Sequence, residues 1–267
     1  MPTKIKSYPV ALTIAGSDSG GGAGVQADLK TFAALGVHGT TAITCVTAQN
    51  PRGVIGIQAI RADVVRKQIE AVFAELRPDA VKTGMLFSTE IIHVVADFFA
   101  RAKPLPLIVD PVMVATSGAV LLKPSAIRAL KERLLPLATL VTPNLDETEI
   151  LVGRKLRSLA DLPAAAREIY ERFGCAVLVK GGHLRQAAKA VDVFFDGNVL
   201  REFTARRVRG VSTHGTGCTY SAAIAARLAQ GEMLPAAVAS AKNFITRAIS
   251  ESYSARKYSV LRQIATR

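Results

Sequence analysis

The chain has 267 residues, is 49% hydrophobic and carries a formal net charge of +13, enough apolar material for one sizeable core. Its apolar runs are broken by charge or glycine before the roughly 20 residues that a membrane helix needs. Cys45, Cys175 and Cys218 lie too far apart in sequence for a disulfide framework or metal-ligand spacing, so the expectation is one cytoplasmic domain over residues 1–267 with a basic tail at 252–267.

Basic residues precede the apolar run of "MPTKIKSYPVALTIAG", but no small-residue cleavage site follows, and "PVALTIAG" reads as a first strand. "GVQADLKTFAALG" predicts a helix ended by Gly36, and "GTTAITCVTAQ" and "GVIGIQAI" are strand-like. "RADVVRKQIEAVFAEL" is amphipathic at helical spacing. "AVKTGM" follows as a strand, then a helix "STEIIHVVADFFARA" capped by Ser88 or Thr89, a strand "LPLIVDPVM" and a helix "KPSAIRALKERLL" opened by Pro124 and Ser125. The alternation repeats through "ATLVTPN", "LDETEILVG", "LADLPAAAREIYERFG" and "CAVLVKGG". "VDVFFDGNVLREF" breaks it as a hairpin around an Asp-Gly-Asn turn, and two Ala-rich helices follow "THGTG". Such alternation predicts an α/β protein with a mainly parallel sheet and helices on both faces. Ligands then bind beyond the carboxyl ends of the strands, which selects the loops at 16–24, 47–53, 82–86, 110–118, 142–147, 180–183 and 210–218.

The opening loop, "GSDSGGGAGVQA", fits a relaxed dinucleotide pattern at Gly22–Ala27. The next strand, however, ends in "TCVTAQN" with no acid for a ribose, and no Gly-Lys-Ser/Thr follows for a Walker loop. Its glycines either make a tight strand-to-helix turn or let a small flat ligand approach bare backbone. In the second glycine loop, Gly215, Thr216 and Gly217 run directly into a helix, where free N–H groups and the helix dipole suit an anion. Cys218 sits in its first turn, where a thiolate is favoured and the pKa is expected to fall. It reads either as an acceptor for a substrate hydroxyl proton or as a small buried hydrophobe. Asp110 and Glu147 at strand ends are candidate partners for Mg2+, although Glu147 also reads as a helix-start acid with Asn144 as cap. Lys180, ending another strand, could reach a phosphate. Of the four histidines, only His214 neighbours the anion loop. Basic residues are dispersed apart from "ARRVR" at 205–209 and the tail "SARKYSVLRQIATR", and the chain has no Trp. A basic surface with a solvated tail helix is therefore expected, with an electrostatic attraction for anionic small molecules as the alternative reading and no nucleic-acid partner.

Together, "IAGSDSGGGAGVQADLKTF", "VTAQNPRGV", "VKTGM", "VDPVM", "TPNLDE", "VKGGH" and "THGTGCTYSAA" closely resemble the hydroxymethylpyrimidine/phosphomethylpyrimidine kinases of thiamine biosynthesis, a branch of the ribokinase-like superfamily. The resemblance runs from about residue 8 to residue 250. It implies a three-layer α/β/α sandwich, a homodimer, and Mg-ATP-dependent phosphorylation of 4-amino-5-hydroxymethyl-2-methylpyrimidine and then of its monophosphate. It places Cys218 where ribokinase-like enzymes keep an aspartate base, behind Gly215, Thr216 and Gly217. Asn144 and Glu147 match the superfamily's N-x-x-E. By the same resemblance Gln49 reads the pyrimidine edge, and Gly16, Ala23, Asp28, Met85 and Val112 line the substrate pocket. Lys180, Asn144, Thr213 and His214 fall on the ATP side, with Asp110 and Glu147 toward Mg2+. A pyridoxal or pyridoxine kinase of the same branch is the alternative, separated by the monophosphate-to-diphosphate step. A non-catalytic precursor sensor or nucleic-acid-binding regulator is the more distant one.

Overall fold

The computed structural model describes residues 7–114, 121–182, 189–208, 210–211 and 213–264. Of the loops selected from sequence, 115–118, 183 and 212 lie outside them. In chain order the first half runs β1 (Val10–Asp18), α1 (Gly24–Ala34), β2 (His38–Asn50), β3 (Gly53–Ala59), α2 (Ala62–Glu75), β4 (Ala80–Thr83), α3 (Thr89–Phe99) and β5 (Leu107–Val109). The second runs α4 (Pro124–Ala129), β6 (Leu140–Val141), α5 (Leu145–Val152), α6 (Leu162–Phe173), β7 (Ala176–Lys180), β8 (Lys189–Phe195), β9 (Leu200–Arg206), α7 (Thr216–Ala229), α8 (Leu234–Ser250), β10 (Tyr253–Ala255) and β11 (Tyr258–Val260).

Nine strands make one sheet in the order β3-β2-β1-β4-β5-β6-β7-β8-β9, parallel from β2 through β7. The hairpin of β8 and β9 forms one antiparallel edge. A second hairpin, unforeseen from the alternation, makes the other: β3 folds back on β2 across Pro51 and Arg52. Because side chains alternate across a strand, Leu12, Ile14, Val81, Leu107, Val109, Val177 and Val179 face one core with α2, α3 and α6. Ala11, Ile108, Leu140 and Leu178 face the other, under α1, α7 and α8. The result is the expected α/β/α sandwich.

The helix expected over "KPSAIRALKERLL" is α4 for one turn and a half, then widens into a π turn through Leu130–Leu134 and tightens into a 3-10 turn at Leu135–Leu137, which holds Pro136. The solvated tail helix is not observed. Residues 253–260 form the small β10–β11 hairpin, and Leu261 and Gln263 are buried beyond it, the Gln263 amide donating to Thr219 Oγ1. Among the described residues no helix is long and apolar enough to cross a membrane.

Candidate active site

The alternation that builds the two cores also aims the polar strand ends. Lys82 follows Ala80, Asp110 follows Ile108 and Lys180 follows Leu178, so all three turn toward α7. Lys180 Nζ meets Asp110 Oδ1 at 2.8 Å, and Ser221 Oγ of α7 donates to Asp110 Oδ2 at 3.3 Å. Lys82, Asp110 and Lys180 line a cavity of about 370 Å3 that also takes in Gly16, Ala23, Gln49, Met85, Val112, Asn144, Glu147, Thr213, His214, Gly215, Gly217 and Cys218. A second cavity of about 200 Å3 opens beside it between β8, β9, α7 and α8. The two share Asn144, Lys180, Thr213 and Gly217, while Thr216 borders only the second.

The two glycine loops interlock. Gly215 holds φ +79°, and a Cβ there would collide with the Gly22 carbonyl, as a Cβ on Gly24 would with that of Gly16. Gly16 sits at a register shift of β1 against β2, where a Cβ would come within 2.8 Å of Cys45 Sγ. In the opening loop the N–H groups of Gly20, Gly22 and Ala23 all donate to the Asp18 carboxylate, at 2.8, 3.1 and 2.8 Å. That loop is thus filled by its own anion and cannot cradle a phosphate. The second loop is different: Thr216 N donates back to Thr213 O, but the N–H groups of Gly217 and Cys218, in the first turn of α7, find no acceptor among the described residues. A Cβ on Gly217 would lie 3.4 Å from Lys180 Nζ, so bare backbone and cation converge at one spot. On the opposite wall Val112 holds φ +44°, a strained conformation for a β-branched residue.

Two expectations need correction. Asp28 does not line the cavity. It is fully buried beneath it, its Oδ2 accepting from Lys82 Nζ at 2.7 Å and Thr13 Oγ1 at 2.6 Å, and Lys82 presents to the cavity in its place. Cys218 lies at the helix start, but its thiol is not depressed. Burial pushes it up to about 11, because desolvation, with Asp28 and Asp110 nearby, outweighs the pull of Lys82. The Lys82 ammonium is held above its ordinary value: burial opposes its charge, but Asp28 more than compensates.

Asn144 and Glu147 form a reciprocal capping box at the start of α5, the Asn144 side chain accepting from Glu147 N and Glu147 Oε2 from Asn144 N, both at 2.9 Å. Glu147 Oε1 accepts from Met113 N at 3.1 Å, and burial, offset only in part by Lys180, raises its carboxyl to about 7. The helix-start and site readings of Glu147 therefore describe one side chain. Among the described residues no three His, Cys, Asp or Glu gather into a metal cage. Since the oxygens of Asp110 and Glu147 already accept protein hydrogen bonds, they fit a hydrated Mg2+ carried in with phosphates rather than a resident ion. His214 lies between the loops on the wall of the larger cavity, beside Asp18 and Gln49, and does not border the second.

Sequence reasoning missed Asp18 and Lys82. The position of Asp18 just ahead of three glycines was a signal for a carboxylate capping backbone N–H groups. Strand parity, applied to "AVKTGM", would have sent Lys82 toward α7.

The profile of the family described as phosphomethylpyrimidine kinase matches residues 18–261. A hydroxymethylpyrimidine/phosphomethylpyrimidine kinase of Rhizobium meliloti is 52% identical over 242 residues, covering 90% of each chain. A bifunctional thiamine biosynthesis protein of Geobacter sulfurreducens is 49% identical over 238 residues, which are 89% of this chain and 48% of that protein. Among solved structures, the ADP complex of a Bacillus subtilis pyridoxal kinase superposes with a TM-score of 0.88 at 38% identity, covering 96% of this chain and 98% of that one. The interlocked loops, the shared lip of the two cavities and these likenesses converge: the chain belongs to the phosphomethylpyrimidine kinase family and is a phosphotransferase.

Proposed function

We propose that the protein phosphorylates 4-amino-5-hydroxymethyl-2-methylpyrimidine with Mg-ATP and then phosphorylates the monophosphate to the diphosphate, as a step toward thiamine. The observation that carries this reading is the shared lip. The larger cavity is lined by both Gln49 and Cys218, and Lys180, Asn144, Thr213 and Gly217 border it and the second cavity alike. A flat heterocycle fits the first, with its hydroxymethyl group toward Cys218. A nucleotide fits the second, against Tyr220, Ile245 and Ile249, with its phosphates at the lip.

In each step the acceptor oxygen bonds to the γ-phosphorus, the bond from that phosphorus to the β–γ bridging oxygen breaks, and ADP departs. The chain supplies placement and charge, which dominate phosphoryl transfer. Lys180 and the first N–H groups of α7 hold the transferring oxygens. Asp110 keeps Lys180 aimed, and Lys82, anchored by Asp28, keeps the floor cationic. Mg2+ brought by the nucleotide would neutralise phosphate oxygens, with Asp110 and Glu147 meeting its waters. Cys218, in its thiolate form, takes the alcohol proton late in the first step. The second acceptor is already an ionised phosphate and needs no base. One domain carries all of this, in the cytoplasm, with no nucleic acid. The exposed apolar edge strand β3, with Ile55 80% accessible, supports a homodimer. Sedimentation should give twice 28.3 kDa; a monomer at assay concentrations would refute the dimer.

The test is a comparison of kcat/KM for the hydroxymethylpyrimidine and for pyridoxine under Mg-ATP. A preference for the pyrimidine of at least about tenfold is expected, the scale on which pocket contacts discriminate similar rings. A preference for pyridoxine would overturn the reading.

A further inference from the structure

The hydrogen-bond network behind Gln49 settles more than its position. Asp18 is 4% exposed, and its carboxylate accepts from three loop N–H groups and from the imidazole of His214, Nε2 to Oδ2 at 3.1 Å. Burial alone would raise this carboxyl, but the bonds from His214, Ala23 and Gly20 hold it below its ordinary value, so it acts only as an acceptor. His214 Nε2 must then carry a hydrogen, whether the ring is neutral or charged.

The terminal amide of Gln49 lies against that same nitrogen. Drawn with its NH2 toward His214, it sets a donor 3.3 Å from a donor. Its oxygen then rests 3.2 Å from Thr47 Oγ1. The single hydroxyl hydrogen of Thr47, however, serves the Ser17 carbonyl at 2.9 Å. Exchanging the isosteric N and O of the amide resolves both conflicts. The carbonyl accepts from His214 Nε2–H, shared with Asp18, and the NH2 donates to Thr47 Oγ1. The backbone on which this amide sits is pinned as well. Ser19 Oγ donates to Gln49 O at 2.7 Å, and Gln49 N donates to Ser19 Oγ at 2.8 Å. Gly22 makes room for the imidazole: a Cβ there would lie 2.8 Å from His214 Cδ2.

We infer that Asp18 and His214 are a positioning pair that fixes the polarity of the Gln49 amide, and through it the donor–acceptor order the cavity accepts on a heterocycle edge. This rests on the reading that Gln49 faces the substrate ring. A 4-aminopyrimidine carries an amino donor beside a ring-nitrogen acceptor. Its 4-oxo analogue carries an oxygen acceptor beside an N–H donor, the reverse order in nearly the same shape. With Gln49 free to turn over, both would be accommodated; with its polarity locked, one leaves buried polar groups unpaired.

The experiment measures KM and kcat for the 4-amino and 4-oxo hydroxymethylpyrimidines with wild type, His214→Ala and His214→Gln. Melting curves check folding, and 15N spectra of the histidine ring are recorded without substrate. Wild type should favour the 4-amino ring. His214→Ala should lose about tenfold or more of that selectivity, chiefly through KM for the 4-amino ring, as expected for one lost hydrogen bond. His214→Gln, whose amide nitrogen occupies the place of Nε2, should restore most of it. The spectra should show hydrogen on Nε2. Undiminished selectivity in His214→Ala, or a bare Nε2 in the spectra, would overturn the inference while leaving the substrate reading intact. A wild type that phosphorylates neither ring would overturn that reading first. Should His214→Ala fail to fold, the glutamine variant and the spectra still decide.

Discussion

Cys218 is where residue chemistry departs most from what its position suggests. A helix start favours a thiolate, yet burial raises this thiol to about 11, so at neutral pH the thiolate is scarce but strongly basic. That combination suits a late proton transfer from an alcohol better than prior deprotonation. Cys218→Ala is expected to lower kcat for the alcohol step by about a hundredfold, within the usual range for general-base catalysis, and to leave the phosphate step within a few-fold. Because the active form lies above the thiol pKa, the wild-type alcohol step should quicken steadily as pH rises above 8, and the variant should lose that slope. Equal losses in both steps, assayed separately from each substrate, would remove Cys218 from the proton path. The elevated pKa was not readable from sequence. It depends on burial under α7, with Asp28 and Asp110 adding to it, groups that come near Cys218 only when β4, β5, α1 and α7 pack; the opposing pull of Lys82 is itself taken up by Asp28, 54 residues away in sequence.

At the scale of elements, α5 ties stability to the site. Its capping box buries Glu147, and the carboxyl titrates near 7 in the folded chain against an ordinary 4.5. The folded state therefore holds a proton between these values that the unfolded state has released. That contribution to stability is complete below 4.5 and is lost as pH rises through about 7. Asp18, whose carboxyl is lowered, acts in the opposite sense and outside this window, its contribution fading only as pH falls below its ordinary 3.8. Glu147→Gln should flatten the decline in melting temperature between pH 5 and pH 7.5 relative to wild type; parallel lines for the two proteins would show that the buried carboxyl does not titrate there. Much at this scale was legible beforehand. The Asn144 cap, the Ser88 cap, the stop at Gly36 and the β8–β9 hairpin all follow from local rules of capping and turn chemistry. The C-terminal hairpin was not, because β10 and β11 are three-residue strands with no apolar period, placed where Leu261 and Gln263 find a home against the helical layer.

For the whole molecule, strand–helix alternation gave the sandwich, and the rule that ligands bind beyond strand ends selected the loops that meet around the larger cavity. What alternation could not give was the partition of roles between the two glycine loops. That depends on Asp18 filling one with its own carboxylate while the start of α7 stays open in the other. The two-cavity arrangement, with one lip between a heterocycle and a nucleotide, is the core of the functional account. It requires that one site accept first an alcohol and then a phosphate on the same ring. The most direct measurement is 31P NMR of the purified protein with Mg-ATP and 4-amino-5-hydroxymethyl-2-methylpyrimidine. The account expects the monophosphate to rise and fall as the diphosphate accumulates; a reaction that stops at the monophosphate with ATP still in excess would contradict it.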